Sequence, residues 1–288
     1  MAVPHPSTHF KAPSSIQKGS CLGDLYSAHT IWLIGESFKD VVEGFNIKGF
    51  RKDAEGESQG LPFKEKTASI GQVLRRYLPT DEMTALNALS DSLGPKLNQT
   101  ENNGLRVMFY MPHSHVLKGF ASTGDIELFD RAVGVNFALT SRFTAEFSIR
   151  PFLKARLDRC IKLLSERISD PDPHIRRLIS EGTRPRLPWA GHLYDIREDP
   201  SFTIPLLEAL KTDGCRYVTR SVANHLGDIG KDHRDLLLNT CERWTLMSES
   251  KGLSIESAKE LRWIVRHALR HPAKKGDRIA LNLRLRAK

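Results

Sequence analysis

The chain has 288 residues and a mass of 32.5 kDa, with 43 Lys+Arg against 34 Asp+Glu and a pI near 9.4. The hydrophobic fraction of 40% excludes a wholly disordered chain, and the lack of any apolar run of about 18 residues excludes a membrane span. Residues 1–20 have no apolar core of the signal-peptide kind, and the four cysteines form no C-x-x-C pair, so we expect a cytoplasmic protein with free thiols.

The predicted elements begin with a tail and continue as helices. Composition and terminal position predict a disordered tail over residues 1–20, followed by one domain over 21–288. Apolar residues recur at helical spacing at 70–78, 157–168, 237–244 and 261–268. Glycine-rich stretches at 44–60 and 98–104 predict loops, and Pro79-Thr80-Asp81, Asp170-Pro171 and Asp199-Pro200 predict helix starts. Strand signals are scarce, so the predicted fold class is all-α.

A weak internal repeat runs through the second half of the chain. The segment 170–177 aligns with 213–220 at an offset of 43, and 220–223 aligns with 266–269 at an offset of 46. A period of 40–47 residues is typical of HEAT-like helical pairs, which stack into a solenoid with a concave face. We expect Arg177, Arg220 and Arg266 to project toward that face; the alternative is three unrelated surface arginines.

The positive charge is concentrated in the same half. Residues 1–139 hold 14 Lys+Arg and 15 Asp+Glu, a net of −1, whereas residues 140–288 hold 29 and 19, a net of +10. Such a half-chain is typical of proteins that bind a polyanion, usually nucleic acid. The alternative is an ordinary solvated basic surface.

Several common chemical motifs are absent from the sequence. It contains no G-x-x-x-x-G-K-[ST], no G-x-G-x-x-G after a strand, no H-E-x-x-H and no zinc-finger spacing. His267 and His271 are spaced as a helical chelating pair, but the neighbouring Arg266, Arg270 and Lys274 would repel a cation. We therefore expect no metal and no cofactor.

The segment 143–189 has an unusual composition. Glu146 lies between two phenylalanines, Arg177 and Glu181 are spaced i, i+4 on one helix, and a proline-stiffened loop leads to Trp189. Asp228 follows later, in the sequence His225-Leu226-Gly227-Asp228. Each residue also has an ordinary interpretation: Glu146 and Glu181 as partners of nearby arginines, Trp189 as a core residue, and Asp228 as a helix C-terminal residue.

Four stretches together resemble a known family. They are 143–189, 220–233, 262–270 and Lys274-Lys275-Gly276, and they are similar to the AlkC-type DNA alkylation-repair glycosylases, relatives of the AlkD group in the HEAT-like-repeat class. The resemblance runs from about Thr30 to the C-terminus. It implies an all-α HEAT-like solenoid with a basic concave DNA-binding face, with residues 21–288 as the glycosylase domain. Some members also carry a C-terminal immunoglobulin-like domain, which we do not expect in this chain.

The resemblance also implies an activity: excision of 3-methyladenine and 3-methylcytosine from duplex DNA. A base alkylated at a ring nitrogen already carries positive charge and leaves readily, so the enzyme has to stabilise the oxocarbenium-like sugar and place a water molecule. The residues implied as catalytic are Glu146, Glu181 and Asp228. Trp189 would stack near the lesion or sugar, and Arg177 would anchor a phosphate or hold Glu181.

The resemblance implies further contacts to the phosphate backbone. The candidates are Arg150, Arg184, Arg186, Arg220, Lys231, Arg266, Arg270, Lys274 and Lys275. Asn224 and His225 would either donate to phosphate or orient Asp228. No nucleophilic lysine stands in the motif, which favours simple hydrolysis without strand cleavage. We also expect the protein to be a monomer. Two alternatives remain: a non-catalytic HEAT-like scaffold that binds DNA or a protein, and an enzyme acting on RNA bases.

Overall fold

A computed structural model of the chain describes residues 3–288. These residues form sixteen α-helices and five short 3-10 helices, with no strand among them, so the all-α prediction is confirmed for the described part. None of the helices in that part is both long and apolar enough to cross a membrane. By their contacts the residues divide into two compact units, Met1–Ala155 and Arg156–Lys288. The prediction of one domain over 21–288 stays a prediction.

Unit 1 contains seven of the α-helices. They are α1 (Ala28–Glu36), α2 (Ile47–Ser58), α3 (Phe63–Tyr77), α4 (Glu82–Asp91), α5 (Met111–Lys118), α6 (Ile126–Thr140) and α7 (Glu146–Ala155). The apolar stripe predicted at 70–78 is the buried face of α3, with Ile70, Val73 and Leu74 fully buried. Helix α4 begins where Pro79-Thr80-Asp81 predicted, because the Asp81 carboxylate caps the Thr84 N–H at 2.8 Å.

The prediction of a loop over 44–60 is wrong, because most of it is helix α2. Asn46 caps that helix by accepting from the Gly49 N–H at 2.9 Å. Phe50, Ala54 and Ser58 follow at intervals of four residues and are all buried. The burial of this helical face therefore outweighs the low helix propensity of the glycines in α2. The other predicted loop, residues 98–104, has no α-helix.

The segment before residue 20 makes contacts within unit 1. Pro6–His9 form a 3-10 helix, the His5 ring bonds the Ser92 carbonyl at 3.0 Å, and Phe10 is buried against Phe109. Residues 1 and 2 lie outside the described residues. The disordered tail over 1–20 stays a prediction about the chain in solution.

Unit 2 contains the other nine helices. They are α8 (Leu157–Ser165), α9 (Pro173–Gly182), α10 (Tyr194–Glu198), α11 (Ile204–Leu210), α12 (Arg216–Ile229), α13 (Arg234–Glu249), α14 (Ile255–Ala268), α15 (Arg270–Lys274) and α16 (Arg278–Arg286). Helix α9 starts after Asp172, whose carboxylate caps His174, and not at Asp170 as predicted. Helix α12 packs against both α9 and α14, so these three helices form the centre of the unit.

Side-chain bonds between successive helices recur at the period of the predicted repeat. Arg184 bonds Asp228 over 44 residues, Arg186 bonds Asp232 over 46, and Arg234 bonds Asp277 over 43. The same spacing connects Arg216 to Glu260 over 44 residues. The repeated arginines Arg177, Arg220 and Arg266 stand one each on α9, α12 and α14. The sequence repeat is therefore a structural repeat of unit 2.

Candidate active site of unit 2

Two acidic side chains from neighbouring repeats share one arginine. The Arg184 Nη1 atom donates to Oε1 of Glu181 at 2.7 Å, while its Nε and Nη2 atoms lie 2.8 and 2.7 Å from Oδ2 of Asp228. The three side chains are at most 9% exposed. Glu181 stands at the end of α9 and Asp228 at the end of α12, and the structure thus brings together two of the predicted catalytic carboxylates.

Further donors complete the hydrogen bonding of these carboxylates. The Ser221 hydroxyl donates to Oε2 of Glu181 at 2.6 Å, and the Lys231 ammonium donates to Oδ1 of Asp228 at 2.8 Å. Arg177 Nη2 lies 3.5 Å from Oε1 of Glu181. Sequence reasoning missed Ser221, although it stands in the repeated segment 220–223, forty residues after Glu181.

The surroundings of Glu181 favour its ionised form. Burial alone would raise the pKa of this carboxyl, but Arg177, Arg184 and the Ser221 hydroxyl outweigh burial and lower its pKa below the ordinary value. Both carboxylates also stand at the C-terminal ends of helices, where the helix dipole disfavours negative charge. The arginines therefore hold two anions in a place that the backbone disfavours.

Trp189 stands at the tip of the loop that leaves α9. The Leu193 N–H donates to the Pro185 carbonyl at 3.2 Å and closes this loop, whose base is anchored by the buried Leu187 and Leu193. The tip has the opposite character: Trp189 is 85% exposed and has a φ of +64°. The left-handed backbone is strained for a bulky residue, so placing the Trp189 ring in solvent in this way costs conformational free energy.

Aromatic rings support several of the basic side chains in unit 2. The Arg177 guanidinium lies 5.2 Å from the centre of the Tyr217 ring, and that of Arg216 lies 3.8 Å from the Trp263 ring. The His267 ring stacks on Trp263 with centroids 4.8 Å apart. These cation–π and stacking contacts hold side chains that are otherwise flexible, and no sequence pattern predicted them.

Basic side chains crowd one another on α12, α14 and the helices that follow. Burial lowers the pKa of Arg266, and the nearby Arg262, Arg216 and Arg284 lower it further. Burial likewise lowers the pKa of His267 to about 4, with additional contributions from Arg270 and Arg220 among the neighbouring cations. Because these cations repel one another, the binding of an anion to this surface would be electrostatically favourable.

Three of the residues predicted to contact phosphate are buried. Arg184 is held between the two carboxylates, and Arg150 of unit 1 is only 4% exposed. His225 is fully buried, and its Nδ1–H donates to the Ser180 carbonyl at 2.9 Å. Asp228, which His225 was predicted to orient, lies one helical turn further along α12. The contacts of these three residues to phosphate, and the alternative role of His225 beside Asp228, stay predictions.

The other predicted contacts are at least partly exposed. Arg186 is paired with Asp232, and Asn224 accepts from Arg270 Nη2 at 3.1 Å and contacts His267 Nε2 at 3.0 Å. Arg266 donates to the Ala287 carbonyl. Arg220, Lys231, Lys274 and Lys275 are exposed.

Glu146, the third predicted catalytic residue, belongs to unit 1. It is the first residue of α7, a position where the helix dipole stabilises an anion, and it is 7% exposed. Helix α7 packs against α5 and α6 and contains Pro151. Within residues 3–288, no three His, Cys, Asp or Glu side chains cluster in a way that would hold a metal ion.

The comparisons with known proteins bear on the fold and the family of the chain. No family model matches the sequence. The fold is similar to the solved structure of the Pseudomonas fluorescens alkylpurine DNA glycosylase AlkC bound to DNA containing an abasic-site analogue, with a TM-score of 0.75 and 31% identity over 92% of this chain and 67% of that chain. The chain belongs to the AlkC family.

A curated relative of this AlkC-family chain is the uncharacterized protein YhaZ of Bacillus subtilis strain 168. The two are 32% identical over 228 residues, which make up 77% of this chain and 56% of YhaZ. The chain thus spans little more than half the length of that relative. The likeness to AlkC extends over 92% of the chain and so includes residues of both units.

Proposed function

We propose that this chain is a DNA-repair glycosylase that hydrolyses the N-glycosidic bond of N3-methylated bases, 3-methyladenine and 3-methylcytosine, in duplex DNA. The observation that carries the proposal is the pair of carboxylates of Glu181 and Asp228 held by Arg184 at the ends of neighbouring repeat helices. The membership of this chain in the AlkC family and the exposed indole of Trp189 support the same activity.

The chemistry follows from the charge of the damaged base. When the bond from C1′ to the ring nitrogen breaks, its electrons neutralise the cationic base, and positive charge develops on the sugar. An ionised carboxylate beside the sugar stabilises that charge, and a second one orients the water whose oxygen adds to C1′ and whose proton is released. Glu181 suits the first role because its lowered pKa keeps it ionised. Glu146 is proposed as the other main catalytic carboxylate, and Asp228 as a third carboxylate at the sugar or the water.

The surrounding residues hold the damaged strand. Trp189 would lay its indole face on the cationic lesion or the deoxyribose. Phosphates would be bound by the exposed or partly exposed cations Arg186, Arg220, Lys231, Arg266, Arg270, Lys274 and Lys275. Lys231 is ion-paired with Asp228, which is a role for an ammonium and not for an amine nucleophile, so we infer simple hydrolysis without strand cleavage. We also propose that the protein acts as a monomer.

The test measures release of free methylated base from treated duplex DNA. We expect Glu181→Gln, Asp228→Asn and Glu146→Gln each to lose base release by at least a hundredfold while DNA binding persists. Asp213→Asn is the matched control, because Asp213 also joins two repeats through an arginine, Arg176 at 2.6 Å, outside the candidate site.

The same assay separates this proposal from its rivals. Full activity in all three carboxylate variants would refute the assignment, and DNA binding without any base release would favour the non-catalytic scaffold. Release from methylated RNA but not from DNA would favour the RNA-directed enzyme. Binding should weaken steeply with salt, because each neutralised phosphate releases counterions.

A further inference from the structure

Unit 1 has a surface cleft that the proposed activity does not use. Its volume is about 900 Å³, and it lies between the start of α1, one face of α2 and the start of α3. Its walls carry the cations Lys48, Arg51, Lys52 and Lys66, the acid Glu55, and the aromatic residues Tyr26 and Trp32. This cleft is large enough for a nucleotide-sized group.

The charge of the cleft results from the way in which α2 distributes its side chains. Lys48, Lys52 and Glu55 follow at helical spacing and face the cleft together. The other acids of α2 are bound elsewhere: Asp53 accepts from the Tyr77 hydroxyl at 2.6 Å, and Glu57 accepts from Arg76 at 3.2 Å. A half-chain of net charge −1 thereby presents a locally basic surface.

Few of these cations are neutralised inside the unit. Glu55 pairs with Arg51, and Asp24 lies near enough to Lys66 for the lysine to lower the pKa of that carboxyl slightly, after the larger effect of its bonds to Cys21. Neither Lys48 nor Lys52 forms an ion pair within the described residues. They stand one helical turn apart, a rise of about 6 Å, so both ammonium groups can reach successive phosphates of one strand.

The backbone of the cleft is also open to a ligand. A Cβ atom placed on Gly56 or Gly60, which both line the cleft, would meet nothing within 4 Å. The half-buried Trp32 adds a flat apolar wall beside the lysines. Cations, an aromatic ring and accessible backbone are the combination that binds a nucleic-acid strand without reading its sequence.

We propose that this cleft is a second DNA-binding site, which binds the phosphodiester backbone of undamaged DNA through Lys48, Lys52 and Lys66. The inference rests on the proposed function in taking DNA as the ligand. It assigns a binding role to the half of the chain whose overall charge gave no reason to expect one.

The test uses the full chain carrying Lys48→Gln and Lys52→Gln, with Lys39→Gln and Lys64→Gln as the control of equal charge on exposed lysines that do not line the cleft. Binding to an unmodified duplex is measured by fluorescence anisotropy from 50 to 200 mM salt. We expect the cleft variant to bind about tenfold more weakly at low salt, with a salt slope smaller by about 2, and the control to bind like the wild type.

A labelling experiment on the wild-type chain does not depend on how the variants fold. Lysines are acetylated with an N-hydroxysuccinimide ester, with and without duplex DNA, and quantified by mass spectrometry. DNA should protect Lys48, Lys52 and Lys66 but not Lys39 and Lys64. Equal labelling of both groups would overturn the inference, as would protection by RNA alone.

The outcome for the cleft is separable from that for base excision. Loss of base release in Glu181→Gln combined with wild-type binding in the lysine variant would overturn the cleft and leave the glycosylase. Protection of the cleft lysines in a chain that releases no base would support the cleft and reject the glycosylase.

Discussion

Replacing Arg184 with glutamine would test how the two carboxylates are held. The substitution removes three short contacts to Glu181 and Asp228 at a position where the side chains are at most 9% exposed. Breaking a buried ion pair by removing one partner costs about 3–5 kcal/mol. Arg177 at 3.5 Å and Lys231 at 2.8 Å still compensate the two anions, so we expect the lower end, about 3 kcal/mol.

Arg186 provides the matched control two residues along the same loop. It forms two bonds with Asp232, but these side chains are 23% and 20% exposed, and Asp232 keeps Arg197 as a second partner. Arg186→Gln should therefore cost less than about 1 kcal/mol, as exposed pairs do. Urea unfolding of both variants gives the two free energies of unfolding.

The pH dependence of base release gives a second, independent readout. Arg184 helps to lower the pKa of Glu181, so its loss should raise that pKa. A carboxylate with a raised pKa is protonated sooner on acidification. The acid limb of the rate profile should then move to higher pH in Arg184→Gln and stay in place in Arg186→Gln. Equal stabilities and unchanged profiles in the two variants would refute the bridging role of Arg184.

Two further substitutions test features outside the carboxylate pair. Burial lowers the pKa of His113 to about 3, and neither ring nitrogen has a partner among the described residues. Below about pH 6.5 His113 takes up a proton in the unfolded chain but not in the folded one, so it contributes a loss of about 2 kcal/mol of stability between pH 6.5 and 5. In urea unfolding the loss over this range should be smaller by about that amount in His113→Leu than in the wild type, since the other buried histidines still contribute; an unchanged pH dependence would contradict it. Trp189→Gly should stabilise the chain by about 1 kcal/mol by relieving the left-handed backbone, yet reduce base release, whereas Trp189→Ala should lose release without that gain. A destabilised glycine variant would show that the ring is needed for packing.

The helices follow from the sequence because their signals are local. The stripe of Leu261, Ile264, Val265 and Ala268 is fully buried on α14, and Leu237, Cys241 and Trp244 are buried on α13. Ile168 departs from its predicted helix, since α8 ends at Ser165. Helix α2 was missed because its glycines lower local propensity, while the burial of Phe50 that outweighs them comes from packing against α1 and α3.

The site divides in the same way between sequence and tertiary structure. The amino-acid sequence alone determined that the chain is helical, that its second half repeats every 40–47 residues, and that Glu181, Asp228 and Trp189 stand out from their surroundings. It could not tell that Arg184 is enclosed between two acids while Arg186, two residues away, stays near the surface. A charged residue has the same sequence signature in both places. Only the packing of α9 against α12, which brings residues 44 apart to within 2.8 Å, decides which arginine is buried.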